Sequence, residues 1–250
     1  MKSTLVLIVV LVTFASAGVA TAVEIIVSAA ASLTNAFTNI GKEYEKAHPG
    51  QKVSFNFASS GALLQQIARG APVDVFASAD QETMDRADKQ NLIVRNSRLD
   101  FVRNTLVMVA PKGAALAPKS LDALKDPSIA RIAISNTETV PAGRYAKEAL
   151  EAAGLWHTLK WKSLNTQSVR QSLDYVARGE ADAGFVYLTD AAILPDKVAV
   201  LIEVPTKTPI LYPVAAVKGN GNEKLALRFI EYLGAVPARN ILLKYGFKNP

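Results

Sequence analysis

The residues with the clearest chemistry are small ones at the starts of expected helices. A strand-like run at 24–29 leads into Ala31-Ser32-Leu33 and then a helical pattern. A second, at 53–57, leads into Ala58-Ser59-Ser60-Gly61 and another helical pattern. A helix start has backbone N–H groups without intrahelical partners and a partial positive charge. Such an end binds an anion without any cationic side chain, and a serine hydroxyl adds a donor. The ordinary explanation of either serine alone is that it caps its own helix. Two such ends in one α/β unit favour a ligand, because ligands gather at the carboxyl ends of parallel strands. Two further helix starts offer the same kind of donor. In Val140-Pro141-Ala142-Gly143 a proline sits where its missing N–H costs nothing, and the N–H groups of Ala142 and Gly143 are expected to be open. In Gln167-Ser168-Val169 a backbone N–H is again at hand. Tyr187 ends a strand-like run, where a phenol reaches toward a cleft. Taken singly, the proline-led start and Tyr187 have ordinary explanations: a plain helix start, and a half-buried tyrosine with a satisfied hydroxyl.

Other chemistries lack their residues. The 250-residue chain has no cysteine and two histidines, so disulfides and thiolate metal sites are excluded. His48 and His157 have no carboxylate or nucleophile at motif spacing. No nucleophile elbow, P-loop, dinucleotide fingerprint or histidine metal motif occurs. A secreted hydrolase using one of the serines would lack its histidine. Asp74 and Asp80, in VDVFASAD, fit a strand residue and a helix cap better than a carboxylate pair. The formal net charge is +6, a modest excess that fits equally a generally basic surface and the steering of anions. There is no dense Lys/Arg run or aromatic–basic interleaving of a nucleic-acid binder. The expectation is a binding protein, not an enzyme, with no cofactor.

The elements that must hold these residues alternate between short strands and amphipathic helices, an α/β pattern. After the strand at 24–29 come a helix at 33–47, a strand at 53–57, a helix at 62–69, a strand at 73–77 and a helix from Asp80 to about Lys89. The middle holds strands at 105–110 and 132–135, a short helix at 122–124, helices at 141–153 and 167–178, and strands at 183–187 and 198–203. A strand at 212–217 and helices at 223–233 and 237–245 close the chain. The pattern alone leaves two arrangements open: a single α/β sheet, or two lobes joined by crossings near 101–110 and 209–217. Ahead of all this, residues 1–22 read as a signal peptide. Lys2 is followed by a short apolar run and the small residues Ala20-Thr21-Ala22, with cleavage expected before Val23.

Several stretches together resemble the bacterial molybdate-binding proteins of ABC transporters. They are AASLTNAF (30–37), FASSGALLQQIARGAPVDVFASAD (57–80), VPAGRYAKEALEAAG (140–154), SVRQSL (168–173), GFVYLTDA (184–191), YPVAAV (212–217) and KYGF (244–247). They span the chain that follows the expected leader. The resemblance implies a two-lobed periplasmic-binding-protein fold of the second type, α/β, with the ligand in the cleft between lobes. Lobe 1 would comprise 23–104 and 212–250, and lobe 2 105–211. It implies a molybdate or tungstate oxyanion held by Ser32 and Ser60 through hydroxyl and nearby backbone donors, by Ala142 and Val169 through backbone N–H, and by Tyr187 through its hydroxyl. Motif alignment prefers Ser60 to Ser59. Any metal centre would be reached only through the oxyanion's oxygens. The implied partner is an ABC transporter membrane permease, and the implied setting is the periplasm, as a soluble monomer without a lipid anchor. Gly61 and Arg144 stand where some relatives carry other residues, and Arg170 is expected as a nearby cation that aids attraction only. A binder of the same fold for sulfate or a small carboxylate is the alternative.

Overall fold

The computed structural model describes residues 23–250; the expected leader, 1–22, lies outside the described residues. In the first half of the chain β1 (Val23–Ala30), α1 (Thr34–Ala47), β2 (Gln51–Ala58), α2 (Ser60–Ala68), β3 (Val75–Ala77), α3 (Gln81–Lys89) and β4 (Leu99–Asn104) follow one another. Next come β5 (Leu106–Pro111), β6 (Ile132–Ser135), α4 (Pro141–Ala152), the short α5 (Trp156–Leu159), β7 (Ser163–Thr166), α6 (Val169–Ala177), β8 (Ala183–Tyr187), the short α7 (Leu188–Ala191) and β9 (Val198–Glu203). The chain ends with β10 (Ile210–Ala216), α8 (Glu223–Gly234) and α9 (Val236–Lys244).

These strands make two five-stranded sheets, ordered β2-β1-β3-β10-β4 and β7-β6-β8-β5-β9. The two share one plan. In each, three neighbouring strands run parallel: β2, β1 and β3 in the first, β7, β6 and β8 in the second. One strand running the opposite way, β10 in the first and β5 in the second, and an edge strand antiparallel to it, β4 or β9, complete each sheet. The single-sheet arrangement is thereby set aside. The chain passes from the first sheet to the second at Thr105, and returns through residues 204–209.

Parallel strands connected by helices are covered on both faces, so they read as near-continuous apolar runs. Val27 to Ala30 of β1 and Ile132 to Ser135 of β6, each paired in parallel on both sides, are buried without a break. Helix α1 lays Phe37, Ile40 and Tyr44 against the first sheet at helical spacing. Phe37 meets Phe55, Phe101 and Phe229 at centroid distances of 6.0, 5.7 and 6.3 Å. The carboxyl ends of β1 and β6 both point to the boundary between the lobes, so the helices that follow them start there.

Candidate functional site

Four helical starts converge on one small cavity between the lobes. Ser32, Ser60, Ala142, Val169 and Tyr187 all line it, with Ser59 beside them. Its volume is about 10 Å³, counted as room for the centre of a water-sized sphere, far below the roughly 300–1,000 Å³ of ordinary small-molecule pockets. Among the described residues, no charged side chain lines it. The arrangement suits a ligand of a few heavy atoms that seeks hydrogen-bond donors.

The local structure shows why the two serines are free to serve. Ser32 lies in a single 3₁₀ turn, Ala31–Leu33, ahead of α1, and makes no capping bond. Its hydroxyl instead meets the Tyr212 hydroxyl at 2.9 Å. Ser59 occupies the cap position of α2 but does not cap it with its side chain. Ser60, the first residue of α2, accepts a hydrogen bond from the Ala79 N–H at 3.0 Å. That bond engages the Ser60 oxygen and leaves its proton to donate. The capping explanation therefore fails for both, and it holds for Ser168, whose side chain accepts from the Gln171 N–H.

Backbone donors complete the set. Ala142 is the second residue of α4 and Val169 the first of α6, positions whose N–H groups find no carbonyl in their own helix. The expectation that the Gly143 N–H is also open is corrected: it donates to the Val140 carbonyl at 3.0 Å. Gly143 serves by its lack of a side chain. A Cβ there would lie 2.1 Å from the Ser135 carbonyl oxygen, so only glycine lets α4 start so close to the end of β6.

Tyr187 differs most from its ordinary explanation. The side chain is 1% exposed, and its hydroxyl is the one buried side-chain polar atom among the described residues with no hydrogen-bond partner. Buried polar groups are nearly always paired, so an orphan hydroxyl facing a cavity marks a place for a ligand atom. Burial pushes its pKa well above the ordinary tyrosine value, so it stays a donor.

Neither arginine near the cavity is among the residues that line it. Arg170 is not a loose cation that merely attracts anions. It is paired with Asp190, which is fully buried, and donates across the lobe boundary to Asn35 Oδ1 at 2.8 Å and to the Ser32 carbonyl at 3.2 Å. Burial raises the Asp190 carboxyl above its ordinary value, opposed by Arg170. Arg144, on α4, bonds Asp80 and the Thr83 hydroxyl of the first lobe. Asp80 also caps α3 through the Thr83 N–H, as expected. Asp74 accepts from the Ile26 N–H, a structural role far from any carboxylate pair. Sequence reasoning missed Tyr212 and Asn104, which stand behind Ser32 and belong to no donor motif.

A two-lobed α/β fold that closes a small donor-lined cavity between its lobes defines a solute-binding protein. The chain belongs to the bacterial extracellular solute-binding protein family, whose model matches residues 25–248. It is 40% identical to the molybdate-binding protein ModA of Escherichia coli over 241 residues, 94% of this chain and 93% of that one. It is 35% identical to ModA of Haemophilus influenzae over 235 residues, 91% of each. Among solved structures, the periplasmic molybdate-binding protein of Azotobacter vinelandii aligns with a TM-score of 0.80 at 25% identity, over 90% of this chain and 99% of that one. The sulfate-binding protein SubI of Mycobacterium tuberculosis shares the fold at a TM-score of 0.79 and 16% identity, over 91% and 87%. The relatives are solute-binding proteins rather than enzymes, and molybdate in their names is a ligand, not a cofactor.

Proposed function

We propose that this protein captures molybdate, and tungstate by the same chemistry, and delivers it to an ABC transporter permease. The observation that carries the reading is the unpartnered Tyr187 hydroxyl, buried among the free donors of Ser32, Ser60, Ala142 and Val169. A dianion leaving water needs its solvation replaced almost completely. Each charge-assisted hydrogen bond contributes about 1.5–3 kcal/mol net. Neutral donors at helix starts do this without a counter-charge. The same donors disfavour hydrogen phosphate, whose O–H would find no acceptor. A carboxylate ligand would call for an arginine clamp, yet Arg144 and Arg170 are both committed elsewhere.

The protein acts in the periplasm as a monomer, exported by residues 1–22. With no cysteine in its 250 residues it carries no lipid-modified N-terminal cysteine. Lobe 1 comprises 23–104 and 210–250, two residues earlier than the expected 212 because β10 opens at Ile210, and lobe 2 105–209; the lobes close on the anion and present a joint surface to the permease. Titration calorimetry with molybdate, tungstate, sulfate and phosphate tests the reading. Binding of the first two, with weak or no heat from phosphate, is expected. Absence of binding by both molybdate and tungstate overturns it.

A further inference from the structure

Behind Ser32 a chain of buried hydrogen bonds runs back to the first lobe crossing. The Ser32 and Tyr212 hydroxyls are 2.9 Å apart. The Asn104 amide nitrogen lies 3.2 Å from the Tyr212 hydroxyl and 2.8 Å from the Thr189 hydroxyl. All four residues are buried. The orientation of the Asn104 amide is fixed independently, because its oxygen accepts from the Thr105 N–H at 2.9 Å. The NH₂ group must then face Tyr212 and Thr189, and an NH₂ can only donate. Tyr212 therefore accepts from Asn104 and has its own proton to give. Its one other partner is Ser32, so it donates there. Ser32, accepting from Tyr212, has its own proton left for the cavity.

We infer that Asn104 and Tyr212 set the direction of the Ser32 hydroxyl, making it a donor to the anion and denying an acceptor to a protonated one. They are positioning residues, acting on the ligand only through Ser32, and the inference rests on the anion-binding reading of the site. The local fold supports a built arrangement. Tyr212 precedes Pro213, and the β10–β4 register shifts between them. A proline has no N–H for the ladder, and such a bulge re-aims a side chain. Burial holds the Tyr212 phenol well above its ordinary pKa, so the relay keeps its proton at any ordinary pH. Tyr187 stands beside it with ring centroids 5.8 Å apart, so the relay and the orphan hydroxyl belong to one wall of the cavity.

A double-mutant cycle isolates the relay. Molybdate affinity is measured by calorimetry for the unmodified protein, Tyr212→Phe, Ser32→Ala and the double variant, with melting curves to show that each is folded. Tyr212→Phe should weaken molybdate about tenfold, the scale of one hydrogen bond, and should narrow the preference for molybdate over phosphate. In the Ser32→Ala background the same change should have almost no effect. A purely structural role would give equal losses in both backgrounds and an unchanged preference, and that result overturns the proposal. Asn104→Asp provides a near-isosteric second arm should Tyr212→Phe not fold. Its carboxylate still accepts from the Thr105 N–H but draws the Tyr212 proton toward itself, turning the Ser32 proton away from the cavity. Its loss should exceed tenfold with Ser32 present and shrink with Ser32→Ala, where only the added charge acts; equal losses again overturn the relay. An unmodified protein that binds neither molybdate nor tungstate overturns the anion-binding reading itself, whereas binding with an additive cycle overturns the relay alone.

Discussion

At the scale of single residues, the cavity trades stability for a free donor at Tyr187. A buried hydroxyl without a partner carries a desolvation cost of about 1–3 kcal/mol. Tyr187→Phe removes that cost together with the donor. Without ligand, its melting temperature should equal or exceed that of the unmodified protein, while molybdate binds about tenfold or more weakly. Calorimetry and thermal melts read the two effects separately, and a variant that is both less stable and equally tight would remove Tyr187 from the site. The phenol also gives a pH signature. In the unfolded chain tyrosine ionises near pH 10, whereas burial raises Tyr187 and Tyr212 in the folded state. Above pH 10 the native state therefore holds more protons than the unfolded one, so these residues make stability fall as pH rises. Urea unfolding at pH 9 and pH 10.5 should show this fall, and a smaller one in Tyr187→Phe.

At the scale of elements, the site depends on helices beginning unusually close to strand ends. Gly143 is the tightest case, with the Ser135 carbonyl oxygen 2.1 Å from where a Cβ would sit. Gly143→Ala must push the start of α4 away from β6. A cost of about 1–3 kcal/mol in urea unfolding is expected, with weaker molybdate binding because the Ala142 N–H moves with the helix. Lower stability at unchanged affinity would show that this N–H is not used. These helix starts were legible in the sequence because Ser-Ser-Gly and Val-Pro-Ala-Gly are local signals. The strands at 132–135, 183–187 and 198–203 were equally plain, being short apolar or β-branched runs. Strand β7, Ser-Leu-Asn-Thr, was not: it is a polar edge strand with no apolar alternation to betray it. Helix α7 was too short for any periodicity. The part Arg170 plays was misjudged for a related reason, since Asn35 and the buried Asp190 are remote in sequence and only the fold brings them to it. Asn104 and Tyr212 were invisible as a pair because they lie 108 positions apart on the two strands that flank the crossings.

At the scale of the whole molecule, hydrogen bonds cross the boundary between the lobes and tie one to the other. From the second lobe, Arg170 reaches Asn35 and the Ser32 carbonyl, and Arg144 reaches Asp80 and Thr83. The Gly61 N–H of the first lobe donates to the Thr139 carbonyl of the second at 2.9 Å. Contacts made only in the closed state favour it over the open one by their full strength, and so lower the rate of ligand escape. Removing Arg170 would be a poor test, because it strands the buried Asp190 carboxylate, and breaking a buried pair costs about 3–5 kcal/mol by itself. Asn35→Ala is cleaner: Arg170 keeps Asp190, and only the bond across the cleft is lost. A hydrogen bond to a charged group contributes about 1.5–3 kcal/mol, so the closed state should lose about tenfold to a hundredfold in population relative to the open one. Molybdate dissociation, followed by stopped-flow competition with excess tungstate, should accelerate by a similar factor. Association should change little, because the anion enters before the latch forms. Equal dissociation rates for Asn35→Ala and the unmodified protein would show that the Arg170 bond merely accompanies closure, and the Arg144–Asp80 pair and the Gly61–Thr139 contact would then hold the cleft shut without it.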